Sequence, residues 1–209
     1  MSEQVIKNNN AMERTRTRTV AQIAMLGAVA GVLMNLEVPL PFLAPSFYQL
    51  DFSEIPPLIG SFAMGPVAGI LIELVKILVH LVTKGSLTAG IGDVANFLFG
   101  CSYIIPAGLI YRYHKTRKNA VLGMAAGTLV MAAIGGLLNA FVLLPAYAAL
   151  FGGMDAIIGM GTAVNKNITS VQSFVLLSVV PFTLVKGVIV SLVTFLLYKH
   201  VSRVLIHNA

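Results

Sequence analysis

The chain is short of charge: only 11% of its 209 residues are Asp, Glu, Lys or Arg, where a soluble domain carries about a quarter. With 57% hydrophobic residues and a mean hydropathy of +0.87, that shortage excludes a water-soluble globule. The single cysteine, Cys101, excludes an internal disulfide and is too few for a thiolate metal site. Its apolar setting reads as a small core residue. No GxxxxGK[ST] loop is present, so ATP hydrolysis by the P-loop route is excluded. There is no HExxH, and His80, His114, His200 and His207 are too dispersed for an obvious metal centre. No GxSxG presents a serine nucleophile, and no repeat of 20 to 50 residues recurs.

Apolar runs of membrane-spanning length recur instead from end to end. At about 20 to 25 residues per helical span, the length leaves room for five to seven crossings and no soluble catalytic domain. The expected architecture is an all-α integral membrane protein with six transmembrane helices. Residues 1–19 form an N-terminal tail, 20–200 the six-helix domain and 201–209 a C-terminal tail. The helices are expected near Val20–Leu36, Ser53–Met64, Val67–Thr83, Gly90–Tyr113, Ala120–Leu144 and Val171–Tyr198. Ser53 or Asp51 is expected to cap the second, with Pro56 and Pro57 in its first turn. Pro145 stops the fifth, 152–167 form a loop with a short interfacial turn, and Pro181 kinks the sixth. The basic start followed by Ala28-Val29-Ala30 has the look of a cleavable signal, but more spans follow, so a retained first helix is expected.

The basic residues fix an expected orientation. Lys7, Arg14, Arg16 and Arg18, then Arg112, Lys115, Arg117 and Lys118, then Lys199 and Arg203 fall on one side, against Lys84 and Lys166 on the other. The positive-inside rule places both termini in the cytoplasm of a multi-pass cell-membrane protein. The same clustering at helix ends, rather than along one face, argues against a nucleic-acid partner for the net charge of +6. Glu37, Asp51, Glu54 and Asp155 are then expected on the outer side.

Ionisable groups within the spans are costly and point by default to function. Glu73 and Lys76, three residues apart on one helix face, are placed to neutralise each other, either as a structural pair or as working groups. Asp93 and Asn96 share a face at the outer end of the fourth helix, and Asp93 is shallow enough to be a cap. Lys186 has no acidic residue in its own helix and needs a partner from a facing helix or a ligand. Lys76, Asn96, Asn139 and Lys186 fall in the outer half or near the midplane. That shared depth fits either a cavity for a small solute or interhelical hydrogen bonds. On the first helix, Ala24, Gly27, Ala28 and Gly31 make a stripe of small residues that lets another backbone approach, inside the bundle or outside it.

Several segments together resemble a known family. Leu50–Pro56, Phe62–Gly69, Glu73–Lys76, Ala95–Leu98, Leu138–Tyr147 and Pro181–Gly187, in this order and spacing, look like the substrate-capture (S) components of energy-coupling factor (ECF) transporters, in particular the riboflavin-binding members. The resemblance implies a subunit that captures riboflavin on the outer side. It then delivers the vitamin inward with a transmembrane coupling protein and two ATPase subunits, having no ATPase, catalytic residue, metal or cofactor of its own. It gives Ala24 and Ala28 a role in contacting the coupling protein. Asn139 and Lys186 match polar positions around the flavin, and Asn96 lies in a pocket-lining segment. Thr183 stands where the family commonly has Asn, and Asp93 where a neutral residue is usual. Phe42, Tyr48, Leu50 and Phe52 are implied to form an apolar lid. An S component for another vitamin, a free-standing secondary transporter using Glu73, or an intramembrane enzyme using Glu73 with Lys76 stay open as alternatives.

Overall fold

The computed structural model describes residues 3–206 apart from 87 and 89, with side chains described within 15–198. Residues 1–2 and 207–209, the outer ends of the two expected tails, lie outside the described residues. The chain is almost wholly helical. Helices α1 (Glu3–Met34), α2 (Ile55–Met64), α3 (Pro66–Thr83) and α4 (Ile91–Tyr113) come first. Then follow α5 (Arg117–Leu138), α6 (Leu144–Phe151), α7 (Met154–Val164), α8 (Val171–Phe174) and α9 (Val180–Ile206). Two π-helical turns, Asn139–Leu143 and Val175–Val179, join α5 to α6 and α8 to α9 without a break. A two-residue hairpin pairs β1 (Val38–Pro39) antiparallel to β2 (Gln49–Leu50).

Five helical stretches among the described residues are long and apolar enough to cross a membrane: Thr15–Met34, Pro66–Thr83, Ile91–Tyr113, Arg117–Phe151 and Val171–Tyr198. The sixth expected span, α2, has ten residues. At 1.5 Å per residue it is about 15 Å long, half a hydrocarbon core. Pro56 and Pro57 start it as expected, since the first turn needs no amide donors. Its cap is Glu54, whose side chain makes no capping bond, rather than Ser53 or Asp51. At Gly65 the backbone takes φ +103°, a left-handed value open to glycine, and the chain turns from α2 into α3.

Three expectations need correcting. The first helix begins at Glu3, well inside the segment read as a tail. The fifth does not stop at Pro145, because the π turn over Asn139–Leu143 widens the helix ahead of the proline ring, and helix continues to Phe151. In a regular helix the ring would meet the carbonyl four residues back. The region 152–167 holds the eleven-residue α7, entered through Gly152 and Gly153 at positive φ. The irregularity expected near Pro181 takes the form of the second π turn, which ends just before it.

Outward faces are apolar, as in Leu71, Leu74, Leu78 and Val82 of α3, which suits a lipid solvent. Inside, one apolar core joins Leu26, Leu58, Phe62, Ile72, Tyr103, Ile104 and Met124. A second joins Leu144, Ile157, Ile168, Phe174 and Val179, with Phe47, Tyr48 and Tyr147 packed on it. The glycine half of the α1 stripe is spent within the bundle: a Cβ at Gly27 would overlap Val75, and one at Gly31 would overlap Val79. Ala24 and Ala28 are exposed.

Candidate functional site

A cavity of about 280 Å³ opens at the end of the bundle that carries residues 35–54 and the α3–α4 connection, near the lower edge of ligand-site volumes, roughly 300 Å³ and upward. Its apolar wall is supplied by Phe47, Phe99, Tyr147 and Phe182, with Met131 and Leu143. Its polar groups come from four directions: Asp51 and Glu54 from the segment before α2, Asn96 from α4, Asn139 from the π turn, and Thr183 and Lys186 from α9. Broad apolar faces with a few fixed polar groups suit a flat ligand with polar edges.

Each polar group is held by a partner that limits what remains for a ligand. Lys186 Nζ lies 2.9 Å from Asp51 Oδ2 and 3.9 Å from Glu54 Oε1. Asp51 and Glu54, expected on the outer side, are 3% and 2% exposed and turn into the bundle rather than toward water. The loop dips inward because two buried lysines need counter-charges. Asp51 Oδ1 also accepts from the Ser53 amide at 2.8 Å and from the Ser53 hydroxyl. Lys76, fully buried behind the wall, is paired with Glu73, with Glu54 at 3.1 Å, and donates to Asn96 Oδ1 at 2.7 Å. With its oxygen so occupied, Asn96 offers its NH2 as a donor.

Asn139 is fixed in the same way. Its Nδ2 donates to the Gly135 carbonyl at 2.8 Å, and its Oδ1 accepts from the Tyr48 hydroxyl. The Thr183 hydroxyl donates to Val179 O at 2.8 Å, leaving only acceptor capacity. At the cavity rim, His80 Nδ1 lies 3.0 Å from Asp93 Oδ1, and Lys84 pairs with Glu37.

The structure thus brings Asn96, Asn139, Thr183, Lys186 and Tyr48 to one cavity and leaves Leu50 and Phe42 off its wall. Leu50 is paired with Val38 in the hairpin, and Phe42 is 77% exposed. Phe52 is exposed as well. Sequence reasoning missed Phe47, Phe99, Tyr147 and Phe182, which carry no local signal apart from aromatic character. It also missed that Asp51 and Glu54 serve the two lysines, a pairing across 135 and 22 residues of chain. No cluster that would hold a metal ion occurs among the described residues.

Fold and cavity define a multi-pass membrane protein built to enclose a small solute. Residues 18–198 match the family described as "ECF transporter, substrate-specific component", and the chain belongs to that family. It is 36% identical over 191 residues to the riboflavin transporter RibU of Staphylococcus aureus (strain TCH60), covering 91% of this chain and 93% of that one. It is 28% identical to the riboflavin transporter FmnP of Bacillus subtilis (strain 168), covering 88% and 91%. A solved S component of a bacterial ECF transporter superposes with a TM-score of 0.70 at 34% identity, over 91% of this chain and 99% of that one. These are transport components rather than enzymes.

Proposed function

We propose that the chain is the riboflavin-capturing S component of an ECF transporter, with six spans and both termini in the cytoplasm. The observation that carries this reading is the enclosure of fixed donors and acceptors by aromatic walls in one cavity. Capture needs only binding energy. The walls exclude water from the ring faces, while Asn96, Asn139 and Lys186 satisfy edge atoms that would otherwise be buried unpaired. In this reading residues 35–54 carry the chain down through the outer half of the membrane and α2 completes the sixth crossing. The ten basic residues of the tails and the α4–α5 connection lie inside.

A passive binder cannot concentrate its ligand, so release is driven by partners. The reading assigns them as a transmembrane coupling protein and two ATPase subunits, with the exposed Ala24 and Ala28 as the close-approach surface. The relatives named as riboflavin transporters support riboflavin as the solute. The test is purification followed by an absorption spectrum and a fluorescence titration. A co-purified yellow flavin, or saturable quenching of riboflavin at one site per chain, is expected. Retention of a colourless vitamin with no flavin quenching would favour an S component of other specificity.

A further inference from the structure

We infer that the α4–α5 end of the bundle holds a specific site for an anionic phospholipid. Two apolar grooves meet there. One, of about 370 Å³, runs between Phe62, Tyr111, Met124 and Leu196, and the other, of about 430 Å³, between Val121 and Leu122. Both are bordered by Arg117 and by Phe195 of α9. Lys115 borders the first groove and Lys118 the second.

The occupant follows from charge, shape and depth. Arg112, Lys115, Arg117 and Lys118 form no ion pair among the described residues, and residues 94–154 contain no Asp or Glu. No described acidic group supplies their counter-charge, which leaves these cations open to an anion from the membrane. Arg117 opens the apolar span Arg117–Phe151, which puts the guanidinium at the boundary of the hydrocarbon, where phosphates lie. Two apolar grooves sharing one cation match two acyl chains joined at one phosphate. Leu196 and Phe195 are 63% and 40% exposed, so the grooves open to the lipid side. The Tyr111 hydroxyl is bonded to the Tyr198 hydroxyl at 2.5 Å, which closes the bundle behind the first groove. The positive-inside rule accounts for cations at this end but not for their place between two grooves.

The site is independent of the solute bound at the other end. Native mass spectrometry of the detergent-solubilised chain, incubated with phosphatidylglycerol or with phosphatidylcholine of the same acyl chains, reads it directly. One phosphatidylglycerol is expected to be retained about tenfold or more over phosphatidylcholine. The double substitution Lys115→Gln/Arg117→Gln is expected to abolish that preference, while Lys166→Gln leaves it intact. Should the double variant not fold, judged by its thermal melt, each single substitution is expected to lower retention by about threefold or more. Equal retention of the two lipids, or undiminished phosphatidylglycerol on the folded variants, overturns the inference. So does equal competition by free glycerol 3-phosphate, which would mark a phosphate site without acyl recognition. Variants that keep the lipid but lose co-purifying partner subunits would give the surface to a protein instead.

Discussion

Lys186 Nζ and Asp51 Oδ2 lie 2.9 Å apart across 135 residues of chain, joining the first third of α9 to the segment that enters α2. The bond places an ammonium on the cavity wall without leaving it an uncompensated buried charge. Removing Lys186 therefore does two things at once: the proposed ligand donor is lost and Asp51 is stranded. Lys186→Ala is expected to weaken riboflavin binding by about 5- to 150-fold, the effect of ~1–3 kcal/mol, and to lower the melting temperature. Lys186→Met with Asp51→Asn should recover the melt but not the affinity. Recovery of both in parallel titrations and thermal scans would mean that Lys186 only anchors the loop.

Asn139 and Thr183 should differ sharply in cost. Asn139→Ala removes an amide that Gly135 and Tyr48 hold in place, and is expected to weaken binding by about 5-fold or more. Tyr48→Phe frees that amide and should weaken it less. The Thr183 hydroxyl is already spent on the Val179 carbonyl. Thr183→Val is expected to change the dissociation constant by no more than about threefold. Fluorescence titration of the three variants ranks them, and a larger loss for Thr183→Val than for Asn139→Ala would reverse the ranking.

Lys76 stands behind the wall, between Glu54, Glu73 and Asn96. Lys76→Met leaves two buried carboxylates facing each other and is expected to cost about 3–5 kcal/mol. Adding Glu73→Gln should return part of it. A thermal or denaturant melt in detergent measures both. An unchanged melt for the single substitution would show that water reaches the cluster.

What was legible in the sequence follows from the range of each signal. Apolar runs and flanking bases are local, so the five long spans could be read along the chain, and the intramembrane lysines announced themselves by their cost. The π turns at Asn139–Leu143 and Val175–Val179 were not legible. They let helix run on past Pro145 and up to Pro181, and a proline alone reads as a break or a kink. The pairing of Asp51 and Glu54 with Lys186 and Lys76 was not legible, because those lysines lie on other helices. The aromatic wall was missed for the same reason, since Phe47 and Phe182 acquire a shared surface only after folding.

The α1 stripe is expected to separate capture from transport. Gly27 and Gly31 are closed over by Val75 and Val79 of α3, whereas Ala24 and Ala28 face outward. Enlarging the glycines should disturb the bundle, so Gly27→Leu is expected to lower both the melt and the affinity. Ala24 and Ala28 are exposed and do not line the cavity, so Ala24→Leu with Ala28→Leu is expected to leave it intact. Riboflavin titration of that double variant should match the parent, while vesicle uptake and co-purification of the energising subunits fall sharply, because the added side chains hold a partner helix off by contact. Normal uptake would leave the alanines as lipid-facing residues only. Loss of binding together with uptake would show that α1 supports the pocket through its outer face as well as its inner one.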